Sequence, residues 1–149
     1  MVEVLQDQYQ GLPNIPQLEA LADSKTFTVT TGHQLNLFTG PLYVIFKIVS
    51  TINLAKQLKK AYPAYHFVPV YWMATEDHDW DEINHLHLFG KKIQWNTDQK
   101  GPVGRFDISG LSSLWAELPS DLSIFKESYT GAKSLSDAVR KYMHALFGQ

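Results

Sequence analysis

The sequence has 149 residues and a formal net charge of −2, from 13 Lys and Arg against 15 Asp and Glu. Hydrophobic residues make up 44%, aromatic 13% and charged 19%, which excludes general disorder and suits one domain or a piece of a larger one. The absence of cysteine excludes a disulfide framework, a zinc–thiolate centre and a thiol nucleophile, and the near-neutral balance argues against nucleic acid, which demands a concentrated basic face.

Residues 1–25 read as a lead-in segment broken by Pro13 and Pro16, with a short helix over Gln17–Ala22. The first ten residues hold neither the basic nor the apolar region of a signal peptide. The longest stretch free of Asp, Glu, Lys and Arg, Thr26–Phe46, is interrupted by polar residues, so no membrane-spanning helix is expected. A reducing, cytoplasmic setting is the expectation. Thr26–Thr31 is rich in β-branched residues and reads as a strand ended by Gly32. Pro41 suits the first position of a helix that runs to Ala61 before Pro63, with Leu42, Ile45, Val49, Ile52 and Ala55 at helical spacing and Lys56, Lys59 and Lys60 near its negative end. Phe67–Ala74 is a near-continuous apolar run and predicts a parallel strand buried on both faces. Strand, helix and strand make a right-handed βαβ unit.

Thr75–Glu82 is intensely acidic and opens a short helix to Asn84. His85–Phe89 and Ile93–Trp95 flank a Gly90-Lys91-Lys92 turn and predict a β-hairpin. Val103–Ile108 reads as a further short strand. Helices follow over Leu111–Leu118, Ser120–Ser128 and Ser134–Phe147, the last with Ser134 and Asp137 spaced as an N-cap pair. The pattern is α/β.

Two polar constellations fall on the same rim, the carboxyl ends of the strands, where open α/β sheets bind ligands. The first is Thr31–Pro41, a loop running into a helix N-terminus, where unpaired N–H groups suit an anion. His33 and Gln34 there can bind or polarise a substrate, but the glycine spacing matches neither the dinucleotide nor the P-loop pattern, and an ordinary turn loop remains open. The second is Glu76-Asp77-His78-Asp79 with Asp81 and Glu82. Packed carboxylates repel, which is expected to raise some of their pKa values, as catalytic acids and bases require; a solvated helix start is the plain alternative. No metal signature is present, because His85 and His87 sit two apart on a strand. Lys47 either reaches over the rim to an anion or snorkels off its helix. No serine lies in a nucleophile elbow. The four tryptophans read as core or interface residues.

Thr30–Lys47 (TTGHQLNLFTGPLYVIFK) followed by Pro69–His85 (PVYWMATEDHDWDEINH) resembles the bacillithiol biosynthesis cysteine-adding enzyme family, BshC. Thr31, Gly32, Gln34, Gly40, Pro41, Leu42, Tyr43 and Lys47 match the first motif. Trp72, Ala74, Glu76, Asp77, His78, Asp79, Glu82, Asn84 and His85 match the second, and Val103–Phe106 and the closing LFGQ look like further family segments. The resemblance implies a partial Rossmann-like core over residues 26–149, with the βαβ unit, a β-hairpin insertion and C-terminal helices. The parent is then a longer, homodimeric ligase with a helical coiled coil. It further implies that cysteine's carboxyl group is joined to the amine of glucosaminyl-malate through an ATP-derived activated acyl group, with ATP or ADP and Mg2+ as cofactors and this piece inactive alone. Glu76, Asp77, His78, Asp79 and His33 form the implied catalytic set. Thr31, Gly32, Gln34, Gly40, Lys47, Asn84 and His85 form the implied substrate- or phosphate-binding set. Two other classes fit the residues: a non-catalytic α/β module binding a nucleotide or sugar acid, and a metal-dependent hydrolase built on the acidic cluster.

Overall fold

The computed structural model describes residues 1–119 and 121–148. Helix α1 (Val2–Tyr9) and a 3-10 turn (Leu18–Ala22) lead into strand β1 (Thr26–His33), helix α2 (Leu42–Ala61) and strand β2 (His66–Met73). Helix α3 (Trp80–Ile83), a hairpin of β3 (His85–Leu88) and β4 (Lys91–Gln94), 3-10 segments at Val103–Arg105 and Ser109–Glu117, and helices α4 (Ser123–Thr130) and α5 (Leu135–Phe147) complete the order. β1 and β2 pair in parallel, from Thr26 opposite His66 to His33 opposite Met73. β3 and β4 pair antiparallel, from His85 opposite Gln94 to Leu88 opposite Lys91. The expected βαβ unit and hairpin are therefore present.

The core lies beside the carboxyl ends of the parallel strands, not under their middle. Leu35 and Leu37 after β1, Val44 and Ile48 of α2, Ile83, Ile93 of β4, Val103, Leu111 and the inner face of α5 form one buried cluster. That face is Leu135, Ala138, Val139, Tyr142 and Met143, the i, i+3, i+4, i+7, i+8 stripe of a half-buried helix. Its start is capped as expected: Ser134 Oγ accepts the Asp137 N–H at 3.3 Å, and Asp137 Oδ2 accepts the Lys133 N–H at 3.1 Å.

Four sequence expectations need correction. β2 is not buried on both faces: α2 packs across both strands, yet Trp72 is 67% and Phe27 50% exposed, because among the described residues no further layer covers them. Residues 1–25 are more regular than a broken lead-in, since α1 is held to α5 by Arg140, whose guanidinium donates to the carbonyls of Gln8 and Gln10, and by His144 on the carbonyl of Pro13. Val103–Ile108 is a 3-10 turn followed by extended chain, not a strand, because the N–H groups of Val103 and Gly104 bind the carbonyls of Asp77 (2.8 Å) and Thr75 (2.9 Å) in a loop instead of a ladder. The segment expected as helix over Leu111–Leu118 is a 3-10 run from Ser109, and α4 begins at Ser123; the expected start at Ser120, like the terminal Gln149, lies outside the described residues. Between residues 5–21, β2, α2 and the end of α5 runs a largely apolar cavity of about 690 Å3, lined in part by Leu12, Leu18, Val70 and Phe147.

Candidate active site at the carboxyl ends of the parallel strands

The parallel register sets the two motif loops side by side. The Ala74 N–H donates to the carbonyl of His33 at 3.1 Å, so pairing continues to the point where both loops begin. Gly32 lies opposite Trp72, and a Cβ on it would come within 3.0 Å of the Trp72 carbonyl oxygen, so this position has little room for a side chain. Thr31 lies one pair earlier, opposite Tyr71, and lines the cavity. Burial pushes the Tyr71 hydroxyl up to about 12, and its oxygen has no hydrogen-bond partner among the described residues.

The loop after β1 turns through three consecutive left-handed residues, Phe38 (φ 53°), Thr39 (φ 72°) and Gly40 (φ 66°). Two of these are not glycine, a conformation that costs about 1–3 kcal/mol each and persists only when the surroundings enforce it. The surroundings are the C-terminal helices. The Phe38 N–H donates to the hydroxyl of Tyr129 at 3.1 Å, and the hydroxyl of Tyr142 donates to the carbonyl of Asn36 at 2.9 Å. The Phe38 ring packs against Trp115, Phe125 and Tyr129. Burial raises the pKa of both tyrosines, so both remain neutral hydroxyls. Gly40 is required twice over, by its φ and because a Cβ there would lie 2.5 Å from the Cβ of Asn36.

α2 opens with no side-chain cap and no acid in its first turn. The leading amides are therefore unopposed, which is the condition for an anion at a helix start. Tyr43, in that first turn, binds His33 Nε2 through its hydroxyl, while His33 Nδ1 faces the carbonyl of Gln34 at 3.3 Å. A carbonyl only accepts, so the proton sits on Nδ1 and Nε2 accepts from Tyr43. Lys47 resolves neither as a snorkel nor as an unattached rim cation: it is half-buried, its ammonium donates to the carbonyl of Gly32, and it lies 5.9 Å from the centre of the Tyr43 ring.

In the loop after β2, Asp77 Oδ1 accepts the N–H groups of His78 (2.6 Å) and Asp79 (3.0 Å). The Asp79 amide first, then the side chain of Gln34, hold the Asp77 carboxyl below the usual carboxylate range. The expectation that crowding raises these pKa values fails at Asp77, because amide donors favour the ionised form more than solvated neighbours disfavour it. Glu76, His78, Asp79, Asp81 and Glu82 are exposed. Gln34 Nε2 donates to Glu82 Oε2 at 2.7 Å, tying the two loops together across 48 positions.

Asn84 is 2% exposed. Its Oδ1 accepts from His85 Nδ1 at 3.0 Å and its carbonyl accepts the Trp95 N–H at 2.9 Å, so it joins α3 to the hairpin and sets the tautomer of His85. Burial first, with Lys92 and His87 adding, lowers the pKa of His85. Among the described residues, no three His, Asp or Glu side chains are placed to hold a metal ion.

The sequence reading missed four contributors. Tyr43 lay inside the first motif but drew no role. Tyr129 and Tyr142 look like ordinary members of apolar helix faces; the available signal is that a buried hydroxyl must find a partner. Arg105, inside the Val103–Phe106 segment, reaches Glu76, its Nη2 lying 3.2 Å from Oε1 and 3.1 Å from Oε2. Its turn sits so close to the acidic loop that a Cβ on Gly104 would come within 2.6 Å of the Thr75 carbonyl oxygen.

A parallel pair bridged by an α2-type crossover, with both connecting loops converging at the strand ends, is the arrangement of Rossmann-like α/β domains. The family model described as "Bacillithiol biosynthesis BshC, N-terminal Rossmann-like domain" matches residues 1–149, and the chain belongs to that family. Its relatives include proteins named "Putative cysteine ligase BshC" from Flavobacterium psychrophilum, 47% identical over all of this chain and 31% of the relative, and from Flavobacterium johnsoniae, 47% identical over 99% and 30%. A protein of the same name from Bacillus cytotoxicus is 48% identical over 56% of this chain and 16% of its own length. The chain thus spans about a third of the length of the first two relatives. The resemblance read from the two motif blocks, and the α/β class, are borne out. No helix among the described residues is long and apolar enough to cross a membrane.

Proposed function

We propose that the full-length protein is an amide-forming cysteine ligase of bacillithiol biosynthesis, joining the carboxyl group of cysteine to the amine of glucosaminyl-malate. The observation that supports the reading is the Gln34–Glu82 hydrogen bond, which links the loop after β1 to the acidic segment that the sequence keeps far from it, in a chain whose relatives are named "Putative cysteine ligase BshC". The uncapped start of α2 suits the phosphate or carboxylate of an activated acyl group. Asp77, held ionised by its amide donors, suits the acceptor amine in its ammonium form. That amine must lose a proton to attack a carbonyl carbon, and the exposed imidazole of His78, between Asp77 and Asp79, takes it. His33, whose Nε2 accepts from Tyr43, holds that tyrosine in place at the helix start beside the transferred group.

ATP with Mg2+ would supply the activation that condensation in water requires. The leading amides of α2 would fit its phosphates, and the exposed carboxylate of Asp79 would be open to Mg2+, whereas that of Glu76 is taken by Arg105. A cytoplasmic homodimer belongs to the same proposal. The exposed apolar residues Phe27, Leu42, Phe46 and Trp72 support the view that this piece alone associates, and a monomeric profile by light scattering would count against it. The main test is turnover of cysteine and glucosaminyl-malate by the full-length protein, with the amide detected by mass spectrometry. Asp77→Asn and His78→Ala abolish the product while leaving the circular dichroism spectrum and cooperative unfolding intact; wild-type turnover in either removes the site assignment.

A further inference from the structure

The rim carries many more acids than cations. Glu76, Asp77, Asp79, Asp81 and Glu82 lie within seven residues, and Lys47 is tied to the carbonyl of Gly32. An acceptor that itself bears carboxylates is repelled by such a surface unless a cation meets it. Arg105 is placed for that task. Its turn is fixed to the acidic loop by the Val103 and Gly104 amides on the carbonyls of Asp77 and Thr75, and contact at Gly104 leaves no slack. A single nitrogen, Nη2, makes both contacts with Glu76. Nη1 and Nε have no hydrogen-bond partner among the described residues, and the side chain is 73% exposed. Glu76 therefore engages the guanidinium at one nitrogen and leaves the Nη1 and Nε donors free, and a charge-assisted hydrogen bond from either can take a carboxylate.

We propose that Arg105 is a specificity-determining residue of this site, taking a carboxylate of the acyl acceptor on the free Nη1 or Nε donors of its guanidinium while Glu76 holds Nη2. The inference rests on the ligase reading for the identity of the acceptor, but its test does not need turnover. L-malate, as a free dicarboxylate probe, is titrated calorimetrically into the full-length protein and its variants, with melts to verify folding. Arg105→Gln weakens malate about tenfold or more, the equivalent of one charge-assisted hydrogen bond. Arg105→Lys recovers only part of the loss, since an ammonium lacks the planar, directed donors that let one side chain serve Glu76 and the ligand together. Glu76→Gln binds malate at least as tightly as wild type, because a competing anion is gone. In turnover, Arg105→Gln raises KM for glucosaminyl-malate about tenfold and moves KM for cysteine much less. Malate binding that ignores Arg105, absence of malate binding to the wild type, or equal weakening by Arg105→Gln and Glu76→Gln overturns the proposal, the last by reducing Arg105 to a structural partner of Glu76. Wild type that binds malate through Arg105 but forms no amide sinks the ligase reading alone. Wild type that forms the amide with malate affinity indifferent to Arg105 sinks this inference alone.

Discussion

The two loops that meet at the rim are held in opposite ways. The loop after β1 is pinned from beneath: Leu35, Asn36, Leu37 and Phe38 are buried, and hydroxyls from α4 and α5 grip its backbone. The loop after β2 is pinned from the side, by its own Asp77, by the 103–105 turn and by an exposed ion pair. Under the proposed function, a left-handed loop that takes an anion would need its amides fixed before the ligand arrives, and a core does that. Charged groups proposed to hold an amine and move a proton would need water and mobility near them, which a solvated loop supplies.

The sharpest way to break this contrast is Gly40→Ala. A side chain at φ 66°, meeting Asn36 at 2.5 Å, is expected to cost about 2–4 kcal/mol from backbone strain and overpacking together, read by urea denaturation. Gly104→Ala, on the other loop, meets a carbonyl oxygen at 2.6 Å but at an ordinary φ, and is expected to cost about 1–3 kcal/mol. A loss larger than that of Gly40→Ala would invert the comparison. Tyr142→Phe keeps the ring and strips the donor from the buried carbonyl of Asn36; the expected loss is about 1–2 kcal/mol. In the full-length protein it should weaken phosphate-group binding at α2 while leaving the Asp77 loop unchanged by amide chemical shifts. A double-mutant cycle on Glu76 and Arg105, both largely exposed, should show coupling below about 1 kcal/mol in stability. A larger value would mean that the second loop is braced as firmly as the first.

The smallest effects are in pH. Burial holds His85 below its ordinary value of 6.5, so the unfolded chain takes that proton first. The stability it contributes is complete above 6.5 and is lost as pH falls through the lowered folded value. Asp77 behaves likewise one step further into acid: its contribution is present above 3.8 and lost as pH falls through the depressed folded value. In melts from pH 7.5 to 3, wild type should lose stability relative to His85→Gln first and relative to Asp77→Asn at lower pH. The reverse order would contradict these directions.

The elements with strong local signals were legible in the sequence. The span of α2, the Gly90 turn of the hairpin and the Ser134 cap of α5 each carry their cause within a few residues; the buried face of α2 did not, since Leu42 and Val49 of the expected stripe are exposed while Val44 and Ile48 face the core. The rim was legible too, because two parallel strands must place their exit loops together. What failed depends on distant partners. Val103–Ile108 has strand composition, but its amides are claimed by the acidic loop. Lys47 reads from the sequence as a rim cation or a snorkel, and the carbonyl of Gly32, 15 positions away, takes it into a third arrangement. β2 has the composition of a doubly covered strand, while Trp72 stands exposed; composition records a need for cover and not its presence. The tyrosine braces were invisible because a tyrosine on an apolar helix face has the same spacing as any core residue.

Those braces also set a timetable. The Phe38 amide finds its hydroxyl 91 positions later and the Asn36 carbonyl its own 106 positions later. At about 5–20 residues per second of synthesis, the loop waits roughly 5–20 s for its supports, although β1 and β2 can pair as soon as Met73 is made. Until Tyr142 emerges, Leu35, Leu37 and Phe38 have no finished core to enter, so the growing chain exposes apolar surface at the loop after β1.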